Sequence, residues 1–166
     1  MQQIKPVSVR DATADDLQVV WDFVRKKAAF DDWLDRLEAT PHTRASAVFG
    51  ESPAMGVLLA EAGPRVVGFA SWFFTFPTYL GRRCMWLDDL YVDEDVRAHG
   101  VGTALLQAVA SASVRHGWPR LEWVTGASNA KAIGFYERMG ADVKHALRVC
   151  RLSDSAIVSL AAGRHS

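Results

Sequence analysis

Leu87-Asp88-Asp89-Leu90-Tyr91-Val92, then Asp93-Glu94-Asp95-Val96, then Arg97-Ala98-His99-Gly100-Val101-Gly102, is the stretch on which the fold turns. From Met85 to Val92 the residues are large and apolar apart from one pair of acids, which predicts a strand. Asp93-Glu94-Asp95 interrupts it. The glycine-bearing turn opens a helix to about His116, in which Leu105, Ala108, Val109 and Ala112 repeat at helical spacing. Gly117-Trp118-Pro119 stops that helix. A strand that feeds a glycine turn and a helix is the centre of an α/β arrangement.

On the N-terminal side, Val7-Ser8-Val9-Arg10 alternates as a short first strand. Thr13 with Asp16 resembles a capping box ahead of a helix whose Leu17, Val20, Trp21, Val24 and Ala28 share one face. Thr40-Pro41 announces a second helix, ending near Phe49-Gly50. Met55–Glu61 and Val66–Phe76 form a hairpin about Ala62-Gly63-Pro64-Arg65. On the C-terminal side, Leu121–Val124 is a fifth strand. Ser128 or Asn129 caps a helix ending at Gly140, Val143–Leu152 is expected to close the sheet, and Ser153 caps a short tail helix. The expectation is a single domain over residues 1–166: a mixed sheet flanked by helices, with no internal repeat and no linker.

The chain has 166 residues, 19 basic and 19 acidic, so its formal charge is zero. No basic stripe or arm is present, which argues against a nucleic-acid partner. No apolar run approaches the ~20 residues that span a bilayer, and Met1–Pro6 lacks the apolar core of a signal peptide. A cytoplasmic location with no membrane association is the expectation. Cys84 and Cys150 read as strand residues in a reduced compartment. His42, His99, His116, His145 and His165 are scattered, and no metal site is readable.

Three segments carry chemistry. The Arg97-x-x-Gly100-x-Gly102 turn presents a helix N-terminus, whose unpaired N–H groups and positive partial charge suit a diphosphate. It is not a Walker A loop, since no Lys-Ser/Thr follows, and not a dinucleotide fingerprint, since the spacing differs and no acidic residue ends a following strand. In Asn129-Ala130-Lys131-Ala132-Ile133-Gly134-Phe135-Tyr136, Asn129 either caps the helix or bonds an amide-bearing ligand. Tyr136, two turns further on, is either a half-buried core aromatic or an acid able to protonate a leaving thiolate. Asp88-Asp89 sits in an apolar strand, where adjacent residues face opposite sides, so the two acids need not share a role. Acids at the mouth of a cleft attract a cation.

In order and separation, the arginine–glycine turn and Phe135-Tyr136-Glu137-Arg138-Met139-Gly140-Ala141 resemble two motifs of the GNAT superfamily of acetyltransferases. Phe49-Gly50-Glu51-Ser52-Pro53, Val67-Gly68-Phe69-Ala70, Phe73-Phe74-Thr75-Phe76, Leu80-Gly81 and Leu87–Val92 are similar to the diamine, spermidine/spermine-type members. The likeness runs from about Val7 to Leu160. It implies the GNAT fold: a mixed, mostly antiparallel central sheet with two splayed parallel strands, flanked by helices, and acetyl-CoA in the gap. It implies that Leu90, Tyr91 and Val92 carry the pantetheine arm on their main chain. Arg97, Ala98, His99, Gly100, Val101, Gly102 and Thr103 would hold the diphosphate, and Asn129 and Ala132 would meet the donor. Tyr136 would be the acid and Asp88 the base or amine contact, with Asp31 and Asp89 beside the amine.

The likeness has departures. Ala98 replaces a frequent glycine, and Asp88 is shorter than the usual glutamate. Pro77-Thr78-Tyr79 lacks an acid that resembles a polyamine contact. The function implied is direct acetyl transfer from acetyl-CoA to a primary amine of a small molecule: a diamine, a polyamine or a lysine-like amine. A non-catalytic CoA-sensing or partner-binding module and a peptide N-acetyltransferase are the alternatives. The resemblance and the aromatic arm Trp72-Phe73-Phe74 with Tyr79 lead to the expectation of a homodimer.

Overall fold

Thr13 and Asp16 begin the first helical segment as their spacing predicts. The Asp16 carboxylate accepts the Thr13 N–H at 2.8 Å across a 3-10 turn, Ala14–Asp16, that leads into α1 (Leu17–Phe30). Arg10 holds the same carboxylate at 2.7 Å and reaches Glu61 at 2.8 Å, tying the helix start to the sheet. In α2 (Pro41–Phe49) Thr40 Oγ1 accepts the Thr43 N–H, and Pro41 sits in the first turn, where its missing N–H costs no hydrogen bond. The computed structural model describes residues 6–164.

Up to Val124 the chain forms one compact unit. Its strands are β1 (Val7–Asp11), β2 (Gly56–Ala62), β3 (Arg65–Thr75), β4 (Cys84–Val92) and β5 (Leu121–Glu122), in the spatial order 1-2-3-4-5. The first four pair antiparallel, and β4 pairs parallel with β5. The result is the mixed, mostly antiparallel sheet expected. Its two faces follow from the period of two. Phe69 faces α1 and α2, joining Val20, Phe23, Val24, Val48, Val57 and Leu59 in a core cluster. Trp21 packs against the edge of this cluster, and Phe23 lies inside it, with its ring 5.7 Å from Phe69 and 6.1 Å from Tyr91.

Gly68 faces the other way, toward α3 (Val101–Arg115). A Cβ there would stand 2.8 Å from Tyr91 O and 3.1 Å from Leu105 Cδ1, so glycine is what lets α3 lie this close to the sheet. Leu105, Val109 and Ala112 are buried on that side, each large apolar side chain contributing about 1.5–3 kcal/mol.

From Thr125 onward the chain forms a second compact unit, with α4 (Ala130–Arg138) and α5 (Ser155–Ala161). The expected strand over Val143–Leu152 does not form. Leu147, Val149 and Leu152 are exposed there, and so is Cys150. Alternation favours an extended chain, but a strand exists only with a ladder partner, and among the described residues of this unit no second strand offers one. Cys84, by contrast, is buried in β4 as read from the sequence. Among the described residues no helix is long and apolar enough to cross a membrane.

Candidate active site

A single irregularity in β4 sets the site. Ala70 pairs with Leu90, Ser71 with Asp89, and Trp72 with Leu87, so Asp88 is an extra residue opposite the Ser71–Trp72 step: a β-bulge. Its effect on the main chain follows from two hydrogen bonds. Asp93 N–H donates to Val67 O at 2.9 Å, so at this pair the β4 chain turns its main-chain groups toward β3. In an antiparallel ladder such pairs alternate. The Gly68–Val92 and Ala70–Leu90 pairs therefore turn their N–H and C=O groups away from β3, toward the β5 side.

Before the bulge the phase is opposite in parity: Met85 N–H donates to Arg120 O at 2.8 Å on that same side. The extra residue moves the outward set from odd to even positions. β5 pairs only with Met85 and Trp86. Beyond them, no strand among the described residues pairs with the outward main chain of Leu90 and Val92, which leaves the splay expected between the two parallel strands. Of these groups, Val92 O accepts from Arg97 Nε at 2.9 Å.

That bond helps shape the turn before α3. The Arg97 guanidinium also pairs with Glu94 at 3.3 Å and lies over the rings of Phe30 and Tyr91. Asp93, buried, is held by Lys26 and Arg65, each at 2.8 Å. These contacts anchor both ends of the turn. Ala98 has φ +65° and Gly100 φ +83°, so two left-handed residues bring the chain onto the helix N-terminus. Ala104 N–H is the first to close a helical bond, on Gly100 O, which leaves Val101, Gly102 and Thr103 as orphan donors of the first turn. A Cβ on Gly100 would meet no heavy atom within 4 Å. Exposed His99 has Nδ1 2.8 Å from Arg97 O, the carbonyl it donates to.

The acids expected near the amine lie in the same unit. Asp31, just past α1, and Asp89 both line a cleft of about 180 Å³ with Lys27, Trp33, Arg36 and Arg44. The Lys27 ammonium pairs with Asp31 and stands 3.8 Å from Asp89 Oδ1. Ser71 Oγ donates to Asp89 Oδ2 at 3.4 Å. Burial, then the like charge of Asp88, holds the Asp89 carboxyl above the usual carboxylate range, against the opposing pull of Lys27 and Arg44. Asp88 itself is exposed on the bulge, and no ion pair or hydrogen bond holds its carboxylate among the described residues. Lys27, Arg36, Arg44 and Trp33 were not singled out in the sequence. The i,i+4 spacing of Lys27 and Asp31 was the one available signal; Arg44 offered none.

In the second unit, Asn129 Oδ1 accepts the Ala132 N–H at 3.1 Å, so Asn129 is the cap of α4 and Ala132 its partner. Tyr136 lies near the end of the same helix, half-buried, and burial raises its hydroxyl above the usual 10. At neutral pH it keeps its proton.

A sheet whose fourth strand is bulged away from its fifth, followed by an N–H-lined turn and a helix, defines a class. Residues 12–141 match the acetyltransferase (GNAT) family, and the chain belongs to it, an acetyl-CoA-dependent N-acetyltransferase by class. It is similar to L-ornithine N5-acetyltransferase of Arabidopsis thaliana, 38% identical over 57% of this chain and 42% of that protein. It is also similar to the thialysine N-epsilon-acetyltransferase of Bos taurus, 27% identical over 81% and 84% of the two chains. The chain thus spans less than half the length of the plant relative and most of the bovine one. Among solved structures, an integron cassette protein of Vibrio cholerae superposes with TM-score 0.74 at 25% identity, over 93% of this chain and 97% of that one. An aminoglycoside acetyltransferase from a soil metagenome shares the fold with TM-score 0.75 at 15% identity, over 89% and 97%.

Proposed function

We propose that the protein transfers an acetyl group from acetyl-CoA directly to a primary amine of a small molecule, with basic amino acids and short diamines as the substrate class. The bulge at Asp88 carries this reading. One extra residue turns the Leu90 and Val92 main chain into the β4–β5 gap and leaves an unpaired carboxylate at the same point. The names of the plant and bovine relatives, which act on ornithine and thialysine, support the amine class.

The residues fit the donor. Outward amides at Leu90 and Val92 suit the amide-rich pantetheine arm. The first-turn amides of α3 suit a diphosphate, and the open space at Gly100 suits its close approach. Acetyl-CoA supplies an activated thioester. Asp88, or a water ordered by it, takes the proton that the substrate ammonium must lose before nitrogen can attack. The Leu90 N–H stabilises the negative charge that develops on the carbonyl oxygen. As the intermediate collapses, its C–S bond breaks, Tyr136 gives its proton to the departing thiolate, and the attacking nitrogen releases its second proton to solvent, from which Tyr136 is reprotonated. The products are the amide and free CoA.

An amine panel assayed by thiol release tests the reading, with ornithine, lysine, thialysine, putrescine and spermidine as acceptors. Turnover of at least one is expected. Acetyl-CoA binding with no turnover would instead mark a sensor. A homodimer in the cytoplasm, without nucleic-acid or membrane partners, belongs to the same proposal. Trp72 does not serve as a dimer contact in it, because its ring packs within one protomer on Gly56, His116 and Trp118. Phe74, Phe76 and Tyr79 are the exposed aromatics of that region.

A further inference from the structure

The cleft beside Asp89 is lined by three cations, Lys27, Arg36 and Arg44, against two acids, Asp31 and Asp89. Lys27 is committed to the two acids. Arg36 is exposed, its guanidinium 5.6 Å from the Trp33 ring centroid. Arg44 differs. It is half-buried on α2, and its guanidinium hydrogen bond among the described residues goes to Met55 Sδ at 3.2 Å. A thioether is a weak acceptor, while a guanidinium has five N–H donors in a fixed fork. Partly buried charges are normally paired with an acid. No carboxylate lies within salt-bridge distance of Arg44 among the described residues. Its charge still reaches Asp89, whose carboxyl it pulls down.

A molecule that extends from Arg44 to the acids of this site needs charges of opposite sign at its two ends. We propose that Arg44, with Arg36 beside it, binds a carboxylate on the acceptor, so that the enzyme selects amines that also carry an acid group over plain diamines and polyamines. This rests on the amine-acetyltransferase reading above. The fork geometry of arginine matches a carboxylate with two parallel hydrogen bonds. A wholly cationic polyamine would meet three like charges at the cleft against two acids, both of which already face Lys27.

The test compares acceptors that differ only by the carboxylate: ornithine against putrescine, and lysine against cadaverine. Thiol release is followed with the full chain and saturating acetyl-CoA. The parent is expected to favour the amino acid of each pair in kcat/KM. Arg44→Gln should shrink that preference about 10–100-fold, the worth of a charge-assisted bond, mainly through KM. Arg44→Lys should keep part of it, since it retains charge without the fork. Lysine methyl ester on the parent removes the same charge without touching the fold, and should lose a similar factor. A parent that prefers the diamines, or a preference unchanged in Arg44→Gln and with the ester, overturns the inference and leaves the acetyltransferase reading standing. No turnover of any acceptor, with acetyl-CoA bound, overturns both.

Discussion

Gly100→Val separates the backbone requirement of the donor turn from its ligand requirement. Gly100 sits at φ +83°, and an added Cβ meets no heavy atom within 4 Å. The folded protein therefore suffers no clash, only the left-handed conformation. That costs an L-residue about 1–2 kcal/mol, of which about 0.4–1 kcal/mol is returned because the unfolded chain loses freedom. The net is about 1 kcal/mol, more for a branched residue, or a Tm lowered by roughly 2–4 °C for a chain of this size. Binding should suffer more than folding, because the new methyl groups occupy the open space where the diphosphate approaches the α3 N–H groups. A loss of about 10-fold or more in acetyl-CoA affinity is expected, with Gly100→Ala between parent and Val. Ala98→Gly is the converse. Relieving φ +65° should raise Tm by up to a few degrees. Thermal unfolding and calorimetric titration with acetyl-CoA give both numbers. A Gly100→Val protein that is folded and binds the donor as tightly as the parent would refute the assignment of this turn. An Ala98→Gly protein less stable than the parent would refute the strain argument.

Tyr136→Phe keeps the ring and removes the proton; kcat should fall about 10²–10⁴-fold while acetyl-CoA affinity stays within a few-fold, measured by steady-state kinetics and titration. Near-full kcat would return Tyr136 to the role of a core aromatic. For Asp89, burial raises the folded carboxyl above its ordinary value near 3.8, so the folded state holds the proton more tightly than the unfolded chain. Ionisation then costs stability as pH rises from that value through the folded one, and the cost stays constant above it. The Tm of Asp89→Asn relative to parent should accordingly be more favourable at pH 7 than at pH 3; a difference independent of pH removes the burial argument. Sedimentation at micromolar concentration should give a dimer, and a monomer there would remove the homodimer proposal.

Much of the first unit was legible because its signals are local. Thr13–Asp16 and Thr40-Pro41 announce helix starts through hydrogen bonds that span three residues. The β2–β3 hairpin, the glycine turn and the stripe on α3 likewise depend on neighbours in sequence. The order of the arginine–glycine turn and the Tyr136 helix was enough to point to the family. Val143–Leu152 shows the limit: its alternation states only that the chain can extend, and whether a partner edge exists is a matter of tertiary arrangement. The cleft shows it again. Asp31 and Asp89 were read one by one, but Lys27 between them, and Arg44 facing Asp89 from α2 with a methionine sulfur as its partner, join residues far apart in the chain. The sequence alone specified the pair Asp88-Asp89 in an apolar strand. Only the pairing of β4 with β3 decided that Asp88 is the extra residue, because a bulge is a mismatch in count between two strands, and one strand's sequence cannot contain it.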